Sequence, residues 1–357
     1  MADKFSRRDF LRLGGVALGG LALAPVWPRL QELDSGTLGR ITVKEIPLRS
    51  APNDEAPIIG QRFRDQLVHI YAALNPPDAP EFYNTLWYRV WGGYLHSAHI
   101  QLVQNRLNTP VSSLTEAGRL VEVTVPFTDA LQLSRNGEWS PWRGNRLYFE
   151  TIHWATGVEA GPDGRPWYQI TSELSKTEKY YVPGEDLRLI PPEEYAPLSP
   201  ELPMEKKRVE VSIGEQTLRA YEEDRLVLET RISSGLPNPR LSPGELPTAT
   251  PKGRFNIYSK LPTKHMGSIT GNPDTDQGSS FSLPGVPWTC FFAQGGYAFH
   301  GTYWHNNFGL QMSHGCVNMR NADARWLFRW TTPAYPDKIE SPDDWEKTGF
   351  GTRVDIA

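Results

Sequence analysis

Proline and glycine interrupt this chain so often, at 31 residues each in 357, that long uninterrupted helices have little room to form. Between the interruptions lie short runs that alternate apolar and polar side chains. Arg208 to Ile213, Gln216 to Tyr221 and Leu226 to Ile232 keep a period of two. Gly214-Glu215 and Glu222-Glu223-Asp224 supply the turns, which predicts an antiparallel meander. The 12 Trp add to the bias, because aromatic side chains suit half-buried strands. A mainly β protein follows, long enough for more than one core. One short helix is predicted over 321–330, with Asn321 as its cap, Asp323 at its positive end, and Trp326, Leu327 and Trp330 on one face. The stretch from Leu261 to Pro287 is rich in Gly, Pro, Ser and Asp, and reads as a functional loop, a lid or substrate wall.

The Pro- and Glu-rich run from Pro191 to Pro203 has the composition of a semi-rigid linker and divides the chain. Upstream of it two segments echo each other. Leu86-Trp87-Tyr88-Arg89-Val90 precedes His99-Ile100-Gln101-Leu102-Val103, and Pro166-Trp167-Tyr168-Gln169-Ile170 precedes Asp186-Leu187-Arg188-Leu189-Ile190. The first copy, which opens with Ile46-Pro47-Leu48-Arg49 and carries Trp91-Gly92-Gly93-Tyr94, resembles bacterial SH3-like barrels. The second is divergent, with a long excursion from Asn136 to Arg165. The expected order is a signal segment over 1–30, an SH3-like barrel over 40–107, a second SH3-like β domain over 115–192, a linker over 193–204 and a catalytic domain over 205–357. The two β domains are either a ligand platform or spacers, and their Trp and Tyr residues suit both readings.

The N-terminus reads as a twin-arginine export signal: Ser6-Arg7-Arg8-Asp9-Phe10-Leu11-Arg12, then a Gly/Ala/Leu run from Leu13 to Ala24. That run is too short for a stable membrane anchor, so membrane contact is expected only through the signal, unless it stays uncleaved. Cleavage after Ala24 would remove Lys4, Arg7, Arg8 and Arg12 together with Asp3 and Asp9, taking the net charge from −4 to −6. An acidic chain with no basic run beyond Lys206-Lys207-Arg208 excludes nucleic acid as an expected partner. The destination is extracytoplasmic, periplasm or cell wall, and a monomer is expected.

Only two cysteines are present in a protein bound for an oxidising space. Cys290 sits in the aromatic, strand-like run Trp288-Thr289-Cys290-Phe291-Phe292 and reads as core. Cys316 sits in Ser313-His314-Gly315-Cys316-Val317-Asn318, sixteen residues after His300-Gly301-Thr302. A free thiol titrates at about 8.5, so a nucleophilic Cys316 needs a neighbouring imidazole. His300 ends the apolar run Tyr297-Ala298-Phe299 and could be held by a strand, while His314 lies two residues from the thiol and competes for the role. Gly315 lets the amides of His314, Gly315 and Cys316 converge as an oxyanion hole. Asn318 could tie the turn to the backbone, Arg320 could attract a substrate carboxylate, and Tyr303, Trp304 and Phe308 could wall an acyl pocket. A zinc site built from His300, His305, His314 and Cys316 is disfavoured, because a His-x-Cys pair lacks the ligand gap of structural zinc sites. No metal or cofactor is expected.

The His300-Gly301-Thr302 and Ser313-to-Asn318 motifs look like the signature of the L,D-transpeptidase catalytic domain. Val209-Glu210-Val211, Ser233-Ser234-Gly235 and Thr250-Pro251-Lys252-Gly253 are similar to that family's N-terminal sheet, and the resemblance spans Glu205 to Ala357. It implies a β-sandwich-like fold with one short helix and an exported enzyme that acts on peptidoglycan stem peptides. It further implies Cys316 as nucleophile, His300 as acid and base, and the Gly301 carbonyl as the group that orients His300. Ser313, His314, Gly315 and Asn318 would shape the pocket, and Tyr303, Trp304 and Arg320 are substrate-binding candidates. The implied chemistry is transfer of a stem tetrapeptide acyl group through a thioester to an amine. Water as acceptor would make it an L,D-carboxypeptidase, and loss of the chemistry would leave a cell-wall-binding protein.

Overall fold

A computed structural model describes residues 31–32, 36–76, 84–173, 178–240, 246–267 and 282–357. The expected export signal at 1–30 lies outside the described residues. Among those described, regular structure is strand apart from one α-helix and a few short 3-10 turns, so the chain is mainly β. None of the described helices is long and apolar enough to cross a membrane.

The first β unit carries two sheets. Leu38–Ile41 runs between Leu67–His69 and Ile100–Val103, while Glu45–Arg49 pairs with Ile58–Phe63 and Gly93–His96 in a larger sheet. Ile41, Leu48, Val68, Tyr88, Leu95 and Ile100 close a core of their own. The second unit is a seven-stranded antiparallel sheet, ordered Trp139–Tyr148, Phe127–Leu133, Lys179–Pro183, Pro166–Thr171, Ile152–Ala160, Arg119–Val123 and Leu187–Leu189. The excursion read over 136–165 is therefore two long strands. Pro141 and Gly157 interrupt the alternation there, and register shifts within both strands hide the period.

The third region builds two five-stranded sheets. In the first, β1 (Lys207–Ser212), β2 (Thr217–Glu222), β3 (Arg225–Arg231), β4 (Gly253–Asn256) and β10 (Arg353–Ile356) follow the order β3-β2-β1-β10-β4. In the second, β5 (Ser259–Gly267), β6 (Ser282–Ala293), β7 (Tyr297–Gly301), β8 (Val317–Met319) and β9 (Lys347–Thr348) follow the order β8-β7-β6-β5-β9. Val209, Val211 and Leu218 from one sheet meet Trp288, Cys290, Phe292, Phe299 and Val317 from the other in a shared core, as a sandwich requires. The α1 helix (Asn321–Trp330) covers it with Ala324, Leu327 and Phe328. Cys290 is a buried free cysteine in that core.

Three expectations change. The stretch 261–287 is not loop at its described ends: β5 runs to Gly267 and β6 starts at Ser282, paired as an antiparallel hairpin whose tip lies outside the described residues. Asn321 does not cap α1; Arg320 holds that position without a side-chain cap, and Asn321 Nδ2 donates to Glu150 Oε2 of the second unit at 2.6 Å. The composition of 193–204 suggested a spacer, but the segment is packed. Tyr195 is buried, Arg325 and Arg329 donate to the carbonyls of Glu194 and Ala196, and Lys207 Nζ donates to Leu198 and Ser199. Leu120, Ile152 and Trp154 of the second unit join the sandwich core, and Trp154 stacks on Trp345 with centroids 4.7 Å apart.

Candidate active site

The parallel pairing of β7 with β8 organises the site. Phe299 lies opposite Val317 and His300 opposite Asn318, so continuing the register sets Cys316 level with Ala298. Side chains alternate along a strand, which sends His300, Asn318 and Cys316 to one face. There they line a cleft of about 670 Å³ together with Ser313, His314, Tyr303 and Trp304.

His300 is 1% exposed, and its Nδ1 lies 2.9 Å from the carbonyl oxygen of Gly301. A neutral imidazole carries one proton, so Nδ1–H donates there and Nε2 is left as the basic nitrogen. Burial presses its pKa down to about 4, partly opposed by the Gly301 hydrogen bond. Cys316 is partly exposed, and its thiol donates to the Gly296 carbonyl at 3.6 Å. Burial raises the thiol to about 11, partly offset by a backbone hydrogen bond from Ala298. No hydrogen bond joins Cys316 to His300 among the described residues. The resting pair is thiol and neutral imidazole.

The turn before Cys316 is held from below. Gly315 has φ +116, and a Cβ there would lie 2.4 Å from the Tyr297 ring, so both backbone angle and space demand glycine. The Gly315 carbonyl accepts from Thr250 Oγ1 at 2.8 Å, and Thr250 in turn accepts from the Gly235 amide at 2.8 Å. Ser233 and Gly235 bridge to Asn318 and Ser313. Ser313 Oγ accepts from the Gly315 amide at 3.1 Å and donates to the Cys316 carbonyl. The Gly315 amide is thus engaged within the turn and drops out of the three read as an oxyanion hole. His314 is exposed at the rim of the cleft, whereas His300 is buried in its wall.

Asn318 contacts His305 at 2.8 Å. His305 Nδ1 accepts from the Asn307 amide, so its proton is on Nε2 and the Asn318 oxygen belongs opposite it. That orientation also gives the otherwise unpaired Asn318 Oδ1 a partner. Tyr303 is buried, with its hydroxyl donating to Pro284 at 3.1 Å. Trp304 packs edge-on against it and lies 5.7 Å from the His300 ring. Arg320 is not brought to the cleft: it is exposed, with its guanidinium 4.8 Å over the Phe308 ring. Among the described residues no three His, Cys, Asp or Glu side chains cluster closely enough to hold a metal ion.

Sequence reasoning missed the part of the cleft that comes from the N-terminal units. Arg40, Thr42, Arg64 and His99 of the first unit and Arg146 and Tyr148 of the second line the same cleft. Arg40 is 2% exposed. It donates to Gln101 at 2.8 Å, to Asp65 at 3.0 Å and to the Tyr303 carbonyl at 3.2 Å, with its guanidinium 4.0 Å from the Tyr148 ring centroid. Nothing local in the sequence marks these residues, because they reach the site only through docking of one unit on another.

Residues 206–356 match the family model of the YkuD L,D-transpeptidase catalytic domain. A Bacillus licheniformis protein that carries the YkuD L,D-transpeptidase name is 34% identical over 116 residues, which is 32% of this chain. The chain spans about half of that relative, 54% of its length. Among solved structures, the L,D-transpeptidase from Xylanimonas cellulosilytica is 28% identical over 42% of this chain and 60% of that one, with a TM-score of 0.30. The L,D-transpeptidase from Mycobacterium smegmatis is 17% identical over 73% of this chain and 92% of that one, with a TM-score of 0.31. Cys316, His300 and the Ser233–Gly235 and Thr250 supports all fall within the matched residues.

Proposed function

We propose that this protein is an exported, cysteine-dependent L,D-transpeptidase that crosslinks peptidoglycan stem peptides. The observation that carries the reading is the pairing of β7 with β8, which turns His300 Nε2 and the Cys316 thiol to one face of a single cleft, inside the residues that match the catalytic-domain model. The twin-arginine signal and the SH3-like nature of the two N-terminal units are part of the same proposal.

In the proposed cycle the thiol gives its proton to His300 Nε2 as sulfur attacks the stem carbonyl, so that no free thiolate has to form first. The Cys316 amide is the proposed donor to the developing oxyanion, such a donor being worth about 3 kcal/mol. The bond between the third, diamino residue and D-alanine breaks, and the D-alanine nitrogen takes the proton from His300. An acceptor amine then attacks the thioester, passes its proton to His300 and leaves the crosslinked peptide, and the proton returns to sulfur.

Mass spectrometry of the full chain with a carbapenem tests this reading. A covalent adduct on Cys316, absent from Cys316→Ala, is the expected result. Folded wild-type protein that forms no adduct would count against it.

A further inference from the structure

Strand β8 is three residues long and stands at the edge of its sheet, so the ladder to β7 alone holds it by few hydrogen bonds. Its middle residue is Asn318. Across the ladder Asn318 lies opposite His300, and on the outer edge it exchanges both backbone hydrogen bonds with Ser233, each at 2.9 Å. Its side chain, 1% exposed, completes the hold by meeting His305 at 2.8 Å. Because no hydrogen bond joins Cys316 to His300 among the described residues, this frame sets the approach of thiol to imidazole.

His305 is itself anchored on both sides. Next to it, Asn306 is held by the first unit: its amide donates to the Ala98 carbonyl at 2.7 Å, and its carbonyl accepts from Asn84 Nδ2 at 3.2 Å. Asn307 follows, with its carbonyl accepting from Ser233 Oγ at 3.0 Å and its amide donating to His305 Nδ1 at 3.1 Å. The imidazole is 5% exposed, and burial, helped by the neighbouring His99 and His300, presses its pKa down to about 3. It is therefore neutral, with its single proton on Nε2 and directed to Asn318 Oδ1. A rigid neutral donor between a docked segment and β8 acts as a strut. It fixes geometry without adding a charge beside His300, where a cation would oppose proton transfer from sulfur.

We infer that His305 is a positioning residue for the reaction at Cys316: through its hydrogen bond to Asn318 it keeps β8, and with it the thiol, at the separation from His300 over which the proton passes. His305 spends its two ring nitrogens on Asn307 and Asn318. Removing the second bond should therefore slow attack coupled to proton transfer and leave ligand binding and the thiol's own chemistry in place. This role rests on the cysteine and histidine acyl-transfer reading above, and adds to it the group that sets the geometry of the pair.

The test compares two reactions of Cys316 in full-length protein: acylation by a carbapenem, which passes the thiol proton to His300, and alkylation by iodoacetamide, which follows the thiolate fraction alone. His305→Asn keeps an acceptor toward Asn307 and loses the donor toward Asn318, so its limiting acylation rate should fall about tenfold. The half-saturating carbapenem concentration and the alkylation rate should stay as in wild type. His305→Gln returns an N–H near the place of Nε2 and should recover most of the acylation rate. Asn318→Ala should match His305→Asn, and carries the same test if that variant does not fold. The double variant should be no slower than either single one, because both remove one bond. Acylation at the wild-type rate in His305→Asn and Asn318→Ala overturns the inference alone. So does a loss of acylation matched by an equal loss of alkylation, which marks a merely structural role. Folded wild-type protein that is never acylated overturns the acyl-transfer reading and this inference with it.

Discussion

Arg40 Nη2 donates to the carbonyl of Tyr303 at 3.2 Å across 263 residues of sequence. The same guanidinium pairs with Asp65, and Asp65 pairs with Arg146 of the second unit, so one buried cation ties all three parts of the protein together. Its carbonyl partner lies in the segment that runs from His300 to Cys316. A second tie supports the first: the Asn306 amide donates to Ala98 at 2.7 Å, and Asn84 Nδ2 donates to the Asn306 carbonyl at 3.2 Å.

Replacing Arg40 by Met should cost about 3–5 kcal/mol, because it strands Asp65 beside one cation and leaves the Tyr303 carbonyl without its donor. Urea unfolding checks the magnitude. Turnover should fall in protein shown to be folded, and unchanged stability and turnover would show that the tie between Arg40 and Tyr303 is incidental.

Gly315→Ala should sharply reduce acylation of Cys316. The backbone at φ +116 costs an alanine about 1–3 kcal/mol, and the added Cβ would lie 2.4 Å from the Tyr297 ring. Tyr297→Ala combined with Gly315→Ala relieves the contact but not the backbone strain, so it should restore only part of the rate. Full activity in the single variant, measured by carbapenem acylation, would contradict this account of the turn.

The resting protonation state gives a pH signature. With the thiol near 11 and His300 near 4, the iodoacetamide reaction at Cys316 should climb steadily with pH from 5 to 9, following the small thiolate fraction. A preformed thiolate–imidazolium pair would instead give a plateau over that range, and observing one would rule out the neutral pair.

Acid should unfold the protein through its buried histidines. His153 and His305 are pressed to about 3 and His300 to about 4, each mainly by burial, against an ordinary value of 6.5. Below 6.5 the unfolded chain takes up protons that the folded chain refuses. Stability is therefore full above that pH and falls as pH drops toward 4, by about 1.4 kcal/mol per pH unit for each histidine. Urea midpoints measured from pH 7 to 5 should decline, and a flat series would contradict the burial argument.

Much of the sandwich is legible because its strands alternate cleanly. The runs at Arg208, Gln216 and Leu226 became β1, β2 and β3, and the helix occupies Asn321–Trp330 as the spacing predicts. The hairpin ends at Gly267 and Ser282 were obscured because Pro284, Gly285 and Pro287 sit within β6, where Gly285 and Trp288 take positive φ and the period breaks. Asn321 misled for a different reason: it is the first residue of the helix and not its cap, and its side-chain amide donates to Glu150, 171 residues away. His300, Ser313 and Cys316 were marked by their local motifs, and all three line one cleft. Arg40, Arg64, Arg146 and Tyr148 could not be found that way, since their place beside the cleft depends on how folded units dock.

The most direct measurement follows the thioester itself. Full-length protein incubated with a disaccharide tetrapeptide and quenched in acid should show, by mass spectrometry, an acyl group on Cys316 lighter than the donor by one D-alanine, followed by crosslinked dimer. Dimer formed equally well by Cys316→Ala, or folded wild-type protein that releases no D-alanine and carries no adduct, would contradict the account.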